Sequence, residues 1–133
     1  MVGYQAMTKQ IAIGVGCRLG CAADAIVGLV RQALEQAPAA ERLGLFTIRD
    51  KAGEPGLMEA ADRLGLDLVF LTRDALLEQA PSVQTSSARV ESRFGVPSVA
   101  EAAALAGAGA GSVLLVKRIA GQGATCAIAG VRP

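Results

Sequence analysis

The sequence predicts an α/β protein: a three-layer α/β/α sandwich on a mainly parallel five-stranded sheet whose last strand is antiparallel. Short apolar runs alternate with segments of helical spacing, and the last two runs are joined by a short glycine-containing stretch typical of a hairpin. The chain has 133 residues, of which 52% are hydrophobic and 19% charged, and no linker or repeat divides it. We therefore expect a single domain over residues 1–133.

The first half of the chain has the pattern strand, helix, strand, helix. An apolar run at 11–15 precedes apolar positions spaced like one helix face up to residue 37. A second run at 43–48 precedes EPGLMEAADRLG, in which Pro55 is placed to open a helix and Gly65 to end it.

The second half continues with a strand at 66–71 and a short helix at 74–80. A further helix is predicted at 98–106, where Ser98 and Glu101 have the spacing of a capping box. The polar stretch 81–97 has little pattern of either kind and is predicted to be a long loop.

The last two strands are predicted at 113–116 and 125–129. The segment KRIAGQGA between them is short enough for an antiparallel hairpin. GAGAG at 107–111 runs from a helix into a strand, so it indicates a helix stop rather than a phosphate loop.

The composition excludes several kinds of chemistry. The chain has no His, four aromatic residues without Trp, and thirteen Lys and Arg against twelve Asp and Glu. The missing His removes Ser-His and Cys-His nucleophile pairs and imidazole metal ligands, and few aromatic rings are left for stacking on bases. We expect no metal site, no cofactor, no nucleic-acid partner and no membrane partner.

Cysteine usage favours a cytoplasmic protein. Cys17, Cys21 and Cys126 are odd in number and no signal peptide is recognised at the start of the chain. The apolar stretch 94–116 is interrupted by Pro97 and Glu101, so it is read as helix, loop and strand and not as a membrane span. Two of the thiols are interpreted as structural, whereas Cys17, beside a cation and a predicted helix start, is a candidate nucleophile of lowered pKa.

Cations follow the predicted strands. Because the carboxyl ends of parallel strands share one edge, these side chains are expected to form a positive rim suited to an anionic ligand. The alternative is ordinary surface charge at strand ends. The cations are Arg18, Arg49, Lys51, Arg73, Lys117 and Arg118, opposed by Asp50, Glu54 and Asp74.

The glycine-rich turn after the first strand is a candidate anion cradle. Gly14, Gly16, Cys17 and Arg18 would present backbone N–H groups and a guanidinium to a carboxylate or a phosphate. The spacing GxGxxxG differs from the dinucleotide pattern GxGxxG, and no Walker loop occurs. A nucleotide-binding module therefore remains only a distant alternative.

A second cluster lies in TIRDKAGEPG at 47–56. Thr47, Lys51 and Glu54 surround a predicted strand end, where Lys51 would grip an anion and Glu54 would orient it or act as a base. The plainer interpretation is a surface ion pair between Lys51 and Glu54. Glu101 has the same two interpretations, as a capping residue or as a base.

Five stretches together resemble one known family: GVGCR at 14–18, TIRDKAGEPGL at 47–57, VPSVAEAAAL at 96–105, Lys117, and TCAIA at 125–129. In this order and spacing they resemble the cobalamin-biosynthesis CobE family, which is similar to the C-terminal domain of CbiG proteins. The resemblance covers about residues 11–130.

The resemblance implies a role in building the corrin ring, with a precorrin or corrin intermediate as ligand and other cobalamin-pathway enzymes as partners. The longer CbiG proteins are associated with opening a precorrin lactone and releasing acetaldehyde. Two functions stay open: binding as a carrier or accessory factor, and lactone hydrolysis with Glu54 or Glu101 as base. The expected ligand-binding residues are Gly14, Gly16, Cys17, Arg18, Thr47, Lys51, Glu54, Glu101 and Lys117, with residues 81–97 covering the ring.

Overall fold

The computed structural model describes residues 10–86 and 94–131, and it confirms the predicted α/β fold. Its strands are β1 (Gln10–Cys17), β2 (Glu41–Ile48), β3 (Leu68–Leu71), β4 (Ser112–Gly121) and β5 (Ala124–Val131). Its helices are α1 (Ala23–Glu35), α2 (Pro55–Leu64), α3 (Arg73–Leu77) and α4 (Val99–Ala108).

The five strands form one sheet in the order β3-β2-β1-β5-β4. The pairs β1–β2 and β2–β3 are parallel, whereas β5 runs antiparallel to both of its neighbours. Strands β1 to β4 therefore point the same way and only the last strand is reversed, as predicted. The carboxyl ends of β1, β2, β3 and β4 meet at one edge of the sheet.

The β4–β5 hairpin is longer than the sequence predicted. Pairing with β5 carries β4 on to Gly121, where the prediction ended at residue 116. Gln122 and Gly123 make the turn with φ angles of 52° and 87°, the positive pair that suits a two-residue hairpin loop. The hairpin therefore extends to the same edge as the carboxyl ends of the parallel strands.

Helices cover both faces of the sheet. On one face α1 and α2 bury a cluster that includes Ile26, Val30 and Leu57 against Ile13 and Ile128. On the other face α4 buries its alanines and Leu105 against the small residues of β5. This arrangement is the expected three-layer sandwich.

Gly14 allows α4 to lie unusually close to β1. A Cβ at this position would overlap the backbone carbonyl of Ala100 and lie 2.6 Å from the backbone nitrogen of Ala104. Gly14 is buried beneath the helix. Its missing side chain therefore serves helix–sheet packing, where the sequence pattern suggested the approach of an anion.

The predicted helix signals work as expected. Pro55 opens α2, and Gly65 ends it with a left-handed φ of 68°. The Ser98 hydroxyl accepts a hydrogen bond from the Glu101 N–H at 3.3 Å and so caps α4, which ends at Gly109. Within residues 10–86 and 94–131, none of the helices combines the length and the hydropathy that a membrane crossing needs.

Candidate binding cleft

A cleft of about 720 Å³ opens at the carboxyl edge of the sheet. Its walls come from the end of β1, the end of β2, the β4–β5 hairpin and the first turn of α4. Ligand sites of this volume are common in proteins. The lining residues include Gly16, Cys17, Arg18, Lys51, Phe94 and Arg118.

The cleft combines an apolar wall with positive charge. Ile48, Phe94 and Val99 supply apolar surface, while Arg18, Lys51 and Arg118 supply three cations. No Asp or Glu is among the described residues that line it. The local field therefore favours an anionic ligand that also has an apolar face.

Lys51 is the buried cation of the cleft. It ends the short 3₁₀ turn Arg49–Lys51 that follows β2, and only 8% of it is exposed. Its ammonium nitrogen lies 5.9 Å from the centre of the Phe94 ring. Among the described residues it has neither a carboxylate partner nor a hydrogen-bond acceptor. Burying a charged side chain without a partner is unfavourable, so a lysine in this position favours the binding of an anion.

Local backbone structure fixes the position of Lys51. Ile48 packs into an apolar cluster with Leu76 and Phe94, which anchors the end of β2. The Ala52 N–H donates to the Arg49 carbonyl at 2.9 Å, so the chain turns immediately and directs the lysine into the cleft.

Arg18 lies at the mouth of the cleft, on the loop between β1 and α1. Its backbone N–H donates to the Gly123 carbonyl at 2.8 Å, which ties the loop to the hairpin turn. Arg18 is exposed, and its neighbour Leu19 is 84% exposed. Helix α1 begins only at Ala23, so the loop is not itself the helix N-terminus that the sequence suggested.

Glu54 and Thr47 hold the loops behind the cleft and do not line it. The Glu54 Oε1 atom accepts a hydrogen bond from the Gly20 N–H at 2.9 Å, and Glu54 is 8% exposed. The Thr47 hydroxyl is fully buried and donates to the Val15 carbonyl at 2.7 Å. Both side chains therefore join the β1 and β2 segments.

Glu101 is buried completely and also lies outside the cleft lining. Its Oε1 atom accepts from the N–H groups of Gln84 at 2.8 Å and Thr85 at 2.9 Å. Its Oε2 atom accepts from the Thr85 hydroxyl at 2.7 Å and the Arg118 N–H at 2.9 Å. The capping-box expectation for this carboxylate is thus only half met, because Ser98 caps the helix while Glu101 binds groups beyond it.

These hydrogen bonds decide the ionisation of Glu101. Burial alone raises its pKa, but the bonds from Arg118, Thr85 and Gln84 stabilise the carboxylate and leave the pKa below its usual value. A carboxylate stabilised in this way is a poor proton acceptor near neutral pH.

Arg118, not Lys117, enters the cleft. Lys117 is exposed on β4, outside the cleft lining. The register of β4 shifts here, so that Val116 pairs with Ile128 while Ile119 pairs with Cys126. The cation that lines the cleft at this point is therefore Arg118, where the sequence predicted Lys117.

The Cys17 thiol differs from the candidate nucleophile that the sequence suggested. Burial raises its pKa to about 11 despite the nearby charge of Lys51, so it is protonated at neutral pH. Burial also raises the pKa of Cys21, and it raises that of Cys126 to about 12. The prediction of a lowered pKa for Cys17 was wrong, because burial raises this pKa by more than the charge of Lys51 lowers it.

The outer rim is less positive than the sequence indicated. Arg73 forms an ion pair with Asp50 at 2.7 Å, and its guanidinium carbon lies 6.0 Å from the centre of the Phe94 ring. The ion pair therefore removes Arg73 from the unopposed cations of the predicted rim.

The structure thus divides the predicted site residues. It brings Gly16, Cys17, Arg18 and Lys51 together in one cleft. It places Gly14, Thr47, Glu54, Glu101 and Lys117 outside the lining. The expected ligand-binding residues did not include Phe94, Arg118 or the hairpin turn, although Arg118 was among the cations of the predicted rim and KRIAGQGA indicated the hairpin.

Residues 87–93 of the predicted covering loop lie outside the described residues, and residues 80–82 form a 3₁₀ turn. Within the described ranges, no group of three or more Cys, Asp or Glu side chains is arranged to hold a metal ion.

Comparison with known proteins relates this chain to proteins of cobalamin biosynthesis. A family model described as Cobalamin synthesis G C-terminus matches residues 11–129. The chain is 32% identical over 123 residues to Protein CobE of Sinorhizobium sp, covering 90% of this chain and 79% of that protein. It is also 32% identical over 116 residues to Cobalt-precorrin-5A hydrolase of Priestia megaterium, covering 86% of this chain but only 30% of the hydrolase.

Two crystal structures have the same fold. That of CobE, a protein from the cobalamin (vitamin B12) biosynthetic pathway, matches with a TM-score of 0.84 at 33% identity and covers 94% of this chain and 92% of that one. That of cobalamin biosynthesis protein chiG from Agrobacterium tumefaciens str. C58 matches with a TM-score of 0.68 at 37% identity, covering 91% and 98%. The chain therefore belongs to the CobE and CbiG C-terminal family of cobalamin biosynthesis proteins.

Proposed function

We propose that the cleft binds a polycarboxylate precorrin or corrin intermediate and that the protein acts as a carrier or accessory factor in cobalamin biosynthesis. The observation that carries the proposal is Lys51, a residue 8% exposed that lines the cleft and whose ammonium group has no acceptor among the described residues. A ligand carboxylate would supply the missing acceptor and would form a charge-assisted hydrogen bond.

The rest of the cleft fits the same ligand class. A precorrin is a large ring with apolar faces, and acetate and propionate groups surround it. Phe94, Ile48 and Val99 offer an apolar wall for a ring face, while Arg18 and Arg118 lie near Lys51 for further carboxylates. Guanidinium groups suit such partners because they bind carboxylates through two parallel N–H bonds.

Lactone hydrolysis is the second candidate function, favoured by the 32% identity to the hydrolase. The geometry gives it less support than binding. Glu54 and Glu101, the two candidate bases, accept hydrogen bonds from loop amides and do not line the cleft. The Cys17 thiol is protonated at neutral pH. Binding without turnover is therefore the function that we propose.

The cytoplasm is the proposed site of action, since Cys17, Cys21 and Cys126 are all free thiols. Other cobalamin-pathway enzymes are the proposed partners for transfer of the ligand. Leu19, 84% exposed beside the mouth of the cleft, is well placed to contact a partner or the ligand.

The test is an absorbance titration with hydrogenobyrinic acid and with earlier precorrins. Arg18→Ala and Lys51→Ala should each weaken binding about tenfold or more, since a hydrogen bond between charged groups contributes roughly 1.5–3 kcal/mol. Lys117→Ala, which removes an exposed cation outside the cleft lining, is the matched control and should leave the affinity unchanged. Equal affinity in all four proteins would overturn the proposal.

The same samples test the second candidate. Mass spectrometry after incubation with a lactone intermediate should show unchanged ligand in the wild-type protein. Ring-opened product formed in proportion to protein would make the protein a hydrolase.

A further inference from the structure

Strand β4 contains a bulge at the cleft. Val116 pairs with Ile128 and Ile119 pairs with Cys126, so Lys117 and Arg118 together stand opposite Ala127 alone. A β-bulge inserts one extra residue in this way and re-aims the side chains that follow it.

The bulge determines which cation faces the cleft. Val116 belongs to the apolar cluster on the α1 face of the sheet, and Ile119 packs against that same cluster. With strict alternation from Val116, Lys117 would point to the α4 face and Arg118 to the α1 face. The extra residue reverses this, and Arg118 lines the cleft beside Ser98 and Val99 of the α4 side.

The bulge is secured from outside the sheet. The Arg118 N–H donates to Glu101 Oε2 at 2.9 Å, so the carboxylate of α4 takes the place of a strand partner. Three further hydrogen bonds to Glu101 come from Gln84 and Thr85. They hold the carboxylate against the segment that precedes residue 87. Gly14 lets α4 lie close enough to the sheet for this contact.

We infer that Glu101 is a positioning residue for the ligand: by holding the bulge, it places the guanidinium of Arg118, in place of the ammonium of Lys117, in the cleft. This inference rests on the proposed function and names a specificity determinant of the same site. A guanidinium at this position selects a carboxylate that can accept two parallel hydrogen bonds, which an ammonium does not favour.

The first test compares the two neighbouring cations in the otherwise native protein. Arg118→Ala should weaken binding of hydrogenobyrinic acid about tenfold or more, and Arg118→Lys should recover only part of the loss, because bidentate pairing is specific to arginine. Lys117→Ala should leave the affinity unchanged. If Lys117→Ala weakens binding and Arg118→Ala does not, the inference is overturned.

The second test asks whether Glu101 acts through Arg118. Glu101→Gln keeps the size of the side chain but turns an amide N–H₂ towards the backbone donors, which should weaken ligand binding several-fold. In an Arg118→Ala background the same substitution should have no further effect on affinity. An undiminished effect in that background would mean that Glu101 acts on the whole fold and not through Arg118, and it would overturn the inference.

Hydrogen exchange provides a measurement that does not need a Glu101 variant to fold. The Arg118 amide of the wild-type protein should exchange as slowly as its paired neighbours in β4, because Glu101 accepts its proton. Exchange at the rate of an unstructured peptide would contradict the inference. Loss of binding in Lys51→Ala together with normal binding in Glu101→Gln and Arg118→Ala would leave the proposed function standing and reject only the role of Glu101.

Discussion

Glu101 and Lys51 are two of the buried charged residues near the cleft, and their surroundings are opposite. Glu101 is fully buried and accepts four hydrogen bonds from three residues. Lys51 is 8% exposed and has, among the described residues, only the face of the Phe94 ring at 5.9 Å. One charge is satisfied within the protein, and the other is not.

The difference separates structural from binding roles. Proteins rarely bury a charge unless it is paired, so a satisfied carboxylate such as Glu101 is explained by the fold alone. For Lys51, which lines the cleft and has no acceptor among the described residues, we propose a partner from outside the protein. We therefore assign Glu101 to the fold and propose Lys51 as a residue that binds the ligand.

The largest expected effect is the loss of Glu101. Glu101→Ala leaves four donors without an acceptor. A fully buried unsatisfied group costs roughly 1–3 kcal/mol, but water can reach these partly buried donors, so we expect the free energy of unfolding to fall by about 3–5 kcal/mol in total. Glu35→Ala, at an exposed position in the last turn of α1, should change it by less than about 0.5 kcal/mol. Urea denaturation measures both, and similar values for the two variants would show that Glu101 is not structural.

The next effect concerns the close contact between Gly14 of β1 and α4, the helix that carries Glu101. Gly14→Ala would force a Cβ into the backbone of α4, so we expect a loss of about 3 kcal/mol in the free energy of unfolding. Gly28→Ala is the matched control, because no atom lies within 4 Å of its new Cβ in α1. Higher helix propensity should make that variant more stable by about 1 kcal/mol. Thermal denaturation in which the two variants behave alike would contradict the close contact.

A smaller effect of opposite sign is expected at Lys51. Lys51→Met removes a buried charge that has no ionic partner among the described residues and keeps a similar volume, so we expect the free energy of unfolding to rise by about 1 kcal/mol. Lys117→Met, at an exposed position, should lie within about 0.5 kcal/mol of the wild type. If Lys51→Met instead lowers stability by more than 1 kcal/mol, the lysine has a structural partner and the contrast with Glu101 fails.

The smallest effect is the pH dependence of the Glu101 contribution. Because its folded-state pKa lies below the ordinary value of 4.5, the stabilisation is fully present above that pH and is lost as the pH falls through the folded-state pKa. The difference in urea midpoint between the wild type and Glu101→Ala should therefore shrink on acidification below pH 4.5. A difference that stays constant from pH 7 to pH 3 would show that the carboxylate is not the stabilising group.

Much of the fold could be predicted from local signals. Pro55 and Gly65 bound α2 as expected, and Ser98 caps α4, because these residues act on their own backbone. The shared edge of the parallel strands also brings Arg18 and Lys51 into one cleft, as the position of each after a strand indicated.

The rest of the fold and of the cleft depends on contacts between segments that are distant in the sequence. The hydrophobic periodicity of the sequence does not predict such contacts. The choice of Arg118 over Lys117 follows from a bulge, and the partners of Glu101 come from residues 84–85 and 118. The sequence around Gly14 has the pattern of an anion-binding turn, and only the structure shows that α4 covers this glycine. The Cys17 pKa likewise depends on burial that neighbouring residues in the sequence do not reveal.

The most direct measurement of the central claim is a crystal structure of the protein with hydrogenobyrinic acid bound. We predict a carboxylate oxygen of the ligand about 2.7–2.9 Å from the Lys51 ammonium nitrogen, the distance of a charge-assisted hydrogen bond. A ligand bound away from Lys51, or in the cleft with no acceptor at that nitrogen, would contradict it.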